Sequence, residues 1–237
     1  MIKKIILLVF VLMSNSHLLA KKYILDKDNC VFTEVKNNSL FLYSSDCKKN
    51  PKLIDNFEVP NGTPNVNFIS QEIVDNKKYI LLSTSYSENY RDVLDKVGYS
   101  NGYNIINFYD CNSSCKLDSR ISDYFGSGGD MENLTTGKIV HTFPYKNLSQ
   151  IRAELKSKLF QGWIQNKFIK GEVTKKTNIN EVSNYTVDRL GCLVIGDKFK
   201  VKDISSGWLN IIHTNKNGRT TTGWIVCKDT DLCNIVD

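Results

Sequence analysis

The chain has 237 residues, 41% of them hydrophobic, with 31 Lys and Arg against 25 Asp and Glu, a formal charge of +6. The excess is mild and carries no Arg-rich stripe and no nucleic-acid-binding motif. It reads as a solvated surface kept soluble by lysines, and a nucleic-acid partner is not expected.

Residues 1–20 read as an address. Lys3 and Lys4 form a basic start, Ile5 to Met13 are uninterrupted apolar residues, and Ser14-Asn15-Ser16 or Leu18-Leu19-Ala20 offers small residues for cleavage. The apolar run is too short to span a bilayer comfortably, no Cys follows it to direct lipidation, and no second run approaches the required ~20 residues. The expectation is a cleaved signal peptide and a periplasmic or secreted mature chain without a transmembrane segment. Cleavage would leave 29 basic and 25 acidic side chains.

The remaining length accommodates a larger domain plus a smaller module. The expected fold class is mainly β: a β-rich domain with one helix over 21–169, followed by a small barrel over 170–237. "CVFTEV" and "SLFLYS" flank Asn37-Asn38, a tight hairpin turn, and "NVNFISQEIV" and "KKYILLSTSY" flank Asp75-Asn76, a second. "GYNIINFYDC" continues the meander. Residues 50–65, with Pro51, Pro60, Gly62 and Pro64, are expected to form a connecting loop, and the polar stretch 87–101 another loop or a short helix.

Seven cysteines in an exported chain point to disulfides. Cys30 with Cys47, Cys111 with Cys115 and Cys227 with Cys233 are the simplest local pairs, leaving Cys192 over. An alternative joins Cys192 to Cys227 and frees Cys233. Spacing alone does not choose between them.

The Gly-rich stretch "DYFGSGGD" from Asp123 reads as a flexible surface loop, since no GxxxxGK or GxGxxG spacing is present to cradle phosphate. One helix follows. Asn147 caps it, Gln150 completes a capping box, and Leu148, Ile151, Leu155 and Leu159 recur on one face, a core stripe. It leads into Gly162-Trp163-Ile164, which is repeated at Gly223-Trp224-Ile225. The echo raises the possibility that 21–169 contains a divergent copy of the C-terminal module, interrupted by the helix.

No catalytic set stands out. His17 lies in the signal peptide, His141 in "GKIVHTFPY" and His213 at a strand end, while "CNSSC" reads as a disulfide loop rather than a nucleophile beside a histidine. Of the acids, Asp130 and Glu132 beside the Gly-rich loop are the pair to inspect. HExxH, paired CxxC and EF-hand spacings are missing, so no metal or other cofactor is expected and the chain reads as non-enzymatic.

The C-terminal stretch is the most patterned. "GEVTKKTNINEV", "LVIGDKFKVKD", "SGWLNII" and "TGWIV" are short strand-like runs broken by turns at Gly196-Asp197 and Asn215 to Gly218. Phe199 and Val201 alternate with Lys198, Lys200 and Lys202, the period-2 pattern of a half-buried strand. A Gly-Asp turn, a Trp after a short polar loop and a terminal Gly-Trp-Ile resemble the bacterial SH3-like domain over about a quarter of the chain. The resemblance implies a small barrel that binds peptide along an aromatic groove, with Trp208, Trp224, Tyr185 and His213 as its candidates. Trp224, behind a strand-start glycine, favours a core position, whereas Trp208 suits core and groove equally. The family's usual Leu-Asn-Val-Arg is here Thr177-Asn178-Ile179-Asn180, so a carboxylate-pairing Arg is lost.

The resulting expectation is an exported envelope-binding protein recognising cell-wall peptide or another envelope component. The alternative is a periplasmic immunity or inhibitor protein that neutralises a toxin or wall-degrading enzyme.

Overall fold

A computed structural model of the chain describes residues 21–233, apart from 27, 28, 48, 49, 60, 61, 89, 95, 101, 113 and 186–188. The signal-peptide assignment to 1–20 lies outside the described residues. The fold is mainly β: among the described residues 52% lie in strands and 13% in helical turns.

Strands β1 (Lys21–Asp26), β2 (Asn29–Lys36), β3 (Ser39–Ser45) and β4 (Lys52–Phe57) form an antiparallel sheet in chain order. β5 (Asn65–Val74), β6 (Lys77–Tyr86), β7 (Arg91–Asp92), β8 (Val97–Tyr99), β9 (Tyr103–Asp110) and β10 (Lys116–Leu117) follow. Next come α1 (Ser119–Phe125), β11 (Ser127–Gly128), β12 (Met131–Asn133), β13 (Ile139–His141), α2 (Leu148–Leu155) and α3 (Lys158–Ile164). The chain continues through β14 (Lys170–Glu172), β15 (Thr177–Asn180), β16 (Arg189–Leu193), β17 (Lys198–Ser205), β18 (Trp208–Thr214) and β19 (Thr220–Val226), then a 3-10 turn at Cys227–Asp229. The second sheet has the order β10-β9-β6-β5 with β11 against β9, the third β13-β12-β8-β7, and the fourth β14-β17-β18-β19-β15-β16.

Both expected hairpins form. Asn37 and Asn38, and again Asp75 and Asn76, hold positive φ at both central positions of two-residue turns, the geometry that matches strand twist and that Asn and Asp tolerate. β6 is buried on both faces, which explains its unbroken apolar run. Tyr79 and Leu81 enter the larger core with Phe108, Tyr124, Phe160, Leu209 and Ile225, while Ile80 and Leu82 enter a second core with Val31, Leu42 and Tyr109. The second sheet is therefore the middle layer. One face meets the first sheet, and the other meets the helices and the hydrophobic face of the fourth sheet.

Several local expectations change. The loop assigned to 50–65 contains β4, which pairs with β3 from Leu40–Phe57 to Ser44–Lys52; the pairing partner overrides the proline-rich composition on either side. The stretch 87–101 supplies the small β7–β8 hairpin. The Gly-rich segment is packed and structured. Tyr124 and Phe125 are fully buried, β11 pairs with β9, and a Cβ on Gly128 would lie 2.7 Å from the Phe143 ring. These glycines serve close approach rather than mobility.

The single expected helix is two. The Asn147–Gln150 capping box is present, with Gln150 N donating to Asn147 Oδ1 at 3.0 Å and Asn147 N donating to Gln150 Oε1 at 3.2 Å. The apolar stripe nevertheless breaks after Leu155, because Ser157 Oγ accepts the Phe160 amide at 3.0 Å and caps a second helix. Cys30–Cys47, Cys111–Cys115 and Cys227–Cys233 are joined, and Cys192 is free and exposed. The Cys192–Cys227 alternative is thus not adopted.

Candidate functional site

Helix α1 begins where Asp118 Oδ1 accepts the Ile121 amide at 3.0 Å and ends at Gly126, whose φ of 62° a side chain would resist. The tight turn between β17 and β18 docks on that end. Its central residues, Ser206 and Gly207, have φ of 55° and 80°. Ser206 N donates to Tyr124 O at 3.0 Å and Ser205 Oγ to Asp123 O at 2.9 Å. A Cβ on Gly126 would collide with Ser206 Oγ, so this junction admits only glycine.

On the other side of α1, Trp163 from the last turn of α3 packs its ring 4.7 Å from that of Tyr124 and 5.7 Å from that of Phe160. The Arg120 guanidinium lies 4.6 Å above the Trp163 ring and donates to Trp163 O at 3.0 Å and Asn166 Oδ1 at 2.6 Å. One side chain thus stacks on an indole and satisfies the carbonyl end of a helix.

Trp224 approaches the same place from β19. Period-2 alternation turns Gly223 and Ile225 inward, so Trp224 falls on the outer face and stays half-buried. Trp163 and Trp224 line one cleft of about 330 Å³, together with Arg120, Asp123, Asp203 and Ser205. Two indoles give large contact area at little rotamer cost, and charges of both signs edge them. Such a cleft suits a short peptide or amino-acid moiety with an apolar body and ionised ends.

The four residues expected in one groove are divided. Trp208 is 2% exposed and serves the core, while Trp224, for which a core position was favoured, faces the cleft. Half-buried Tyr185 stands with Trp208 and His141: the Tyr185–Trp208 and His141–Trp208 ring centroids are both 5.3 Å apart. Burial, with Asp229 nearby, pushes the Tyr185 hydroxyl up to about 12. His213 sits towards the far end of β18, opposite Thr221, and its Nδ1 donates to Lys198 O at 2.9 Å, remote in the sheet from Trp208.

His141 is 6% exposed, and among the described residues its Nδ1 has no hydrogen-bond partner. Burial, aided by Lys228 and opposed by Asp130, lowers its pKa to about 4, so the ring is neutral at ordinary pH. Asp130 is held by Lys146 at 2.8 Å and by the Phe143 amide at 3.1 Å, and Glu132 lies 3.7 Å from Arg91. The two acids singled out beside the Gly-rich loop are each engaged by a cation.

Sequence reading missed Arg120 and Asp123, whose contribution depends on where α1 docks. Trp163 was flagged only through its tripeptide echo. The chain matches no protein-family model, no curated protein and no solved structure.

Proposed function

We propose that the chain is an exported, non-enzymatic binding protein of the bacterial envelope, recognising a cell-wall peptide through the Trp163–Trp224 cleft. The observation that carries this reading is the convergence of two tryptophans, Arg120, Asp123 and Asp203 on one cleft. The order of the fourth sheet, the 3-10 turn after β19 and the lone bridge from Val173 to Thr230 support an SH3-like barrel as its scaffold. Three disulfides fit an oxidising compartment, and among the described residues no helix is long and apolar enough to cross a membrane.

The test is co-sedimentation of the purified mature protein with insoluble wall sacculi. Binding should be released by excess soluble muropeptide and weakened about tenfold or more by Trp224→Ala, the loss of one aromatic anchor. Protein that stays in the supernatant defeats the reading.

A second reading, a periplasmic immunity or inhibitor protein that plugs the cleft of a toxin or lytic enzyme, is favoured by one feature. Val93 and Leu94 at the tip of the β7–β8 hairpin are 81% and 86% exposed, an apolar tip of the kind that enters a partner's pocket. A stoichiometric complex with a lytic enzyme, abolished by Leu94→Asp, would establish it; unimpaired complex formation by that variant would reject the tip as the plug.

A further inference from the structure

A second cavity lies between α2, α3 and the turn after the final bridge. It measures about 730 Å³, and its walls include Tyr145, Ala153, Glu154, Lys158 and Asp231. Glu154 is its most unusual group. Its Oε1 accepts hydrogen bonds from the Tyr124 hydroxyl and from Ser157 Oγ, the latter at 3.1 Å. Its Oε2 accepts none from a described residue, and among the described residues no Lys, Arg or His pairs with it.

A half-buried carboxylate without a cation is less favourable than one in open water, and two hydroxyl donors offset only part of that cost. Burial accordingly raises the Glu154 pKa. The position compounds the problem, because Glu154 lies in the last turn of α2, where the helix's negative end adds to its own charge. Asp231 brings a second carboxylate to the same walls, its Oδ1 accepting the Glu172 amide at 2.8 Å, against the single ammonium of Lys158. The cavity walls therefore carry two carboxylates against one ammonium, with apolar lining from Pro144, Leu159, Ile169 and Leu232, and room for several carbon atoms.

We propose that this cavity is a binding site for a primary alkylammonium group, with Glu154 as its anionic anchor and the apolar walls enclosing its methylene chain. The ammonium supplies to Oε2 the charge-assisted hydrogen bond that the protein withholds, and the alkyl stem displaces water from the walls. A diamine, or a peptide bearing an aminoalkyl side chain, has the required chemistry. The cavity shares no wall residue with the tryptophan cleft, Tyr124 of that cleft being the donor to Glu154, and the proposal does not rest on the cleft's assignment.

Calorimetric titration of the full disulfide-bonded protein with 1,5-diaminopentane tests the proposal, with 1,5-pentanediol as the uncharged counterpart. One equivalent of diamine should bind and the diol should not. Glu154→Gln keeps an acceptor for Tyr124 and Ser157 but removes the charge, and should weaken binding by about tenfold or more, the size of one charge-assisted contact. Ala153→Leu fills the cavity without touching the carboxylate and should also weaken binding. A wild-type protein that binds no diamine, equal binding of diol and diamine, or undiminished binding by folded Glu154→Gln overturns the proposal. Should Glu154→Gln fail to fold, Ala153→Leu decides: undiminished binding there overturns it as well.

Discussion

Gly162-Trp163-Ile164 and Gly223-Trp224-Ile225 spell the same tripeptide, yet one is the last turn of α3 and the other an interior strand segment of the fourth sheet. The difference lies in their surroundings. The first follows a Ser157 cap that starts a helix, and the second lies in register with β18, Gly223 opposite Ile211 and Trp224 opposite Asn210. The glycines differ accordingly. A Cβ on Gly162 would meet only Ile169 at an ordinary 3.7 Å, whereas one on Gly223 would lie 2.6 Å from Ile179 Cγ2 and 2.7 Å from Asn180 O. The shared triplet is therefore not a shared strand, and what the two copies have in common is the cleft their indoles reach.

The largest expected contrast is in the tryptophans. Trp163, half-buried like Trp224, packs on two rings and under Arg120, so Trp163→Ala should cost about 2–3 kcal/mol in urea unfolding. Trp224→Ala, removing a half-buried ring, should cost under about 1.5 kcal/mol while still weakening sacculus binding about tenfold or more. Equal costs would break the distinction between a ring that supports the fold and one kept for the cleft.

Trp208, in the same sheet as Trp224 but buried under His141, sharpens it through pH. Below about 6.5 the unfolded chain takes up a proton that the buried ring refuses until about 4. The histidine's contribution to stability is thus fully present above 6.5 and is lost as pH falls to 4, by up to about 3 kcal/mol. The raised carboxyl of Glu154 acts in the opposite sense, its contribution fading as pH rises through the acid range. His141→Phe removes only the histidine's part, so its stability should fall less than wild type between pH 6.5 and 4. Parallel pH profiles would show that the ring is not a proton-refusing one.

The glycine contrast gives the two smaller effects. Gly223→Ala must displace Ile179 or backbone and should destabilise by about 2 kcal/mol. Gly162→Ala, in a helix with room for a methyl group, should stabilise by up to about 1 kcal/mol. Thermal unfolding of both variants checks the signs, and a destabilised Gly162→Ala would mean that α3 is tighter than its neighbours indicate.

Local rules in the sequence were enough for the two N-terminal hairpins, the Asn147 capping box and the Lys–Phe–Lys–Val alternation of β17. Each depends on neighbours a few residues apart, and such patterns are visible in one dimension, whereas the choice between two cysteine pairings needed the folded chain. Composition misled wherever a distant partner intervened: β3 turned a proline-flanked loop into β4, and Phe143 and Ser206 turned a glycine-rich stretch into a packed joint.

The candidate site was the least legible part. By itself the sequence determined the mainly β class and most turns, since periodicity, caps and turn chemistry are local. Only the tertiary structure decided that Trp208 is core, that Trp224 shares a cleft with Trp163, Arg120 and Asp123, and that Glu154 lines a cavity with Lys158 and Asp231 on its walls. The cleft joins Trp224 to residues 61 to 104 positions away, and burial and charge pairing over such separations exist only once the layers have packed.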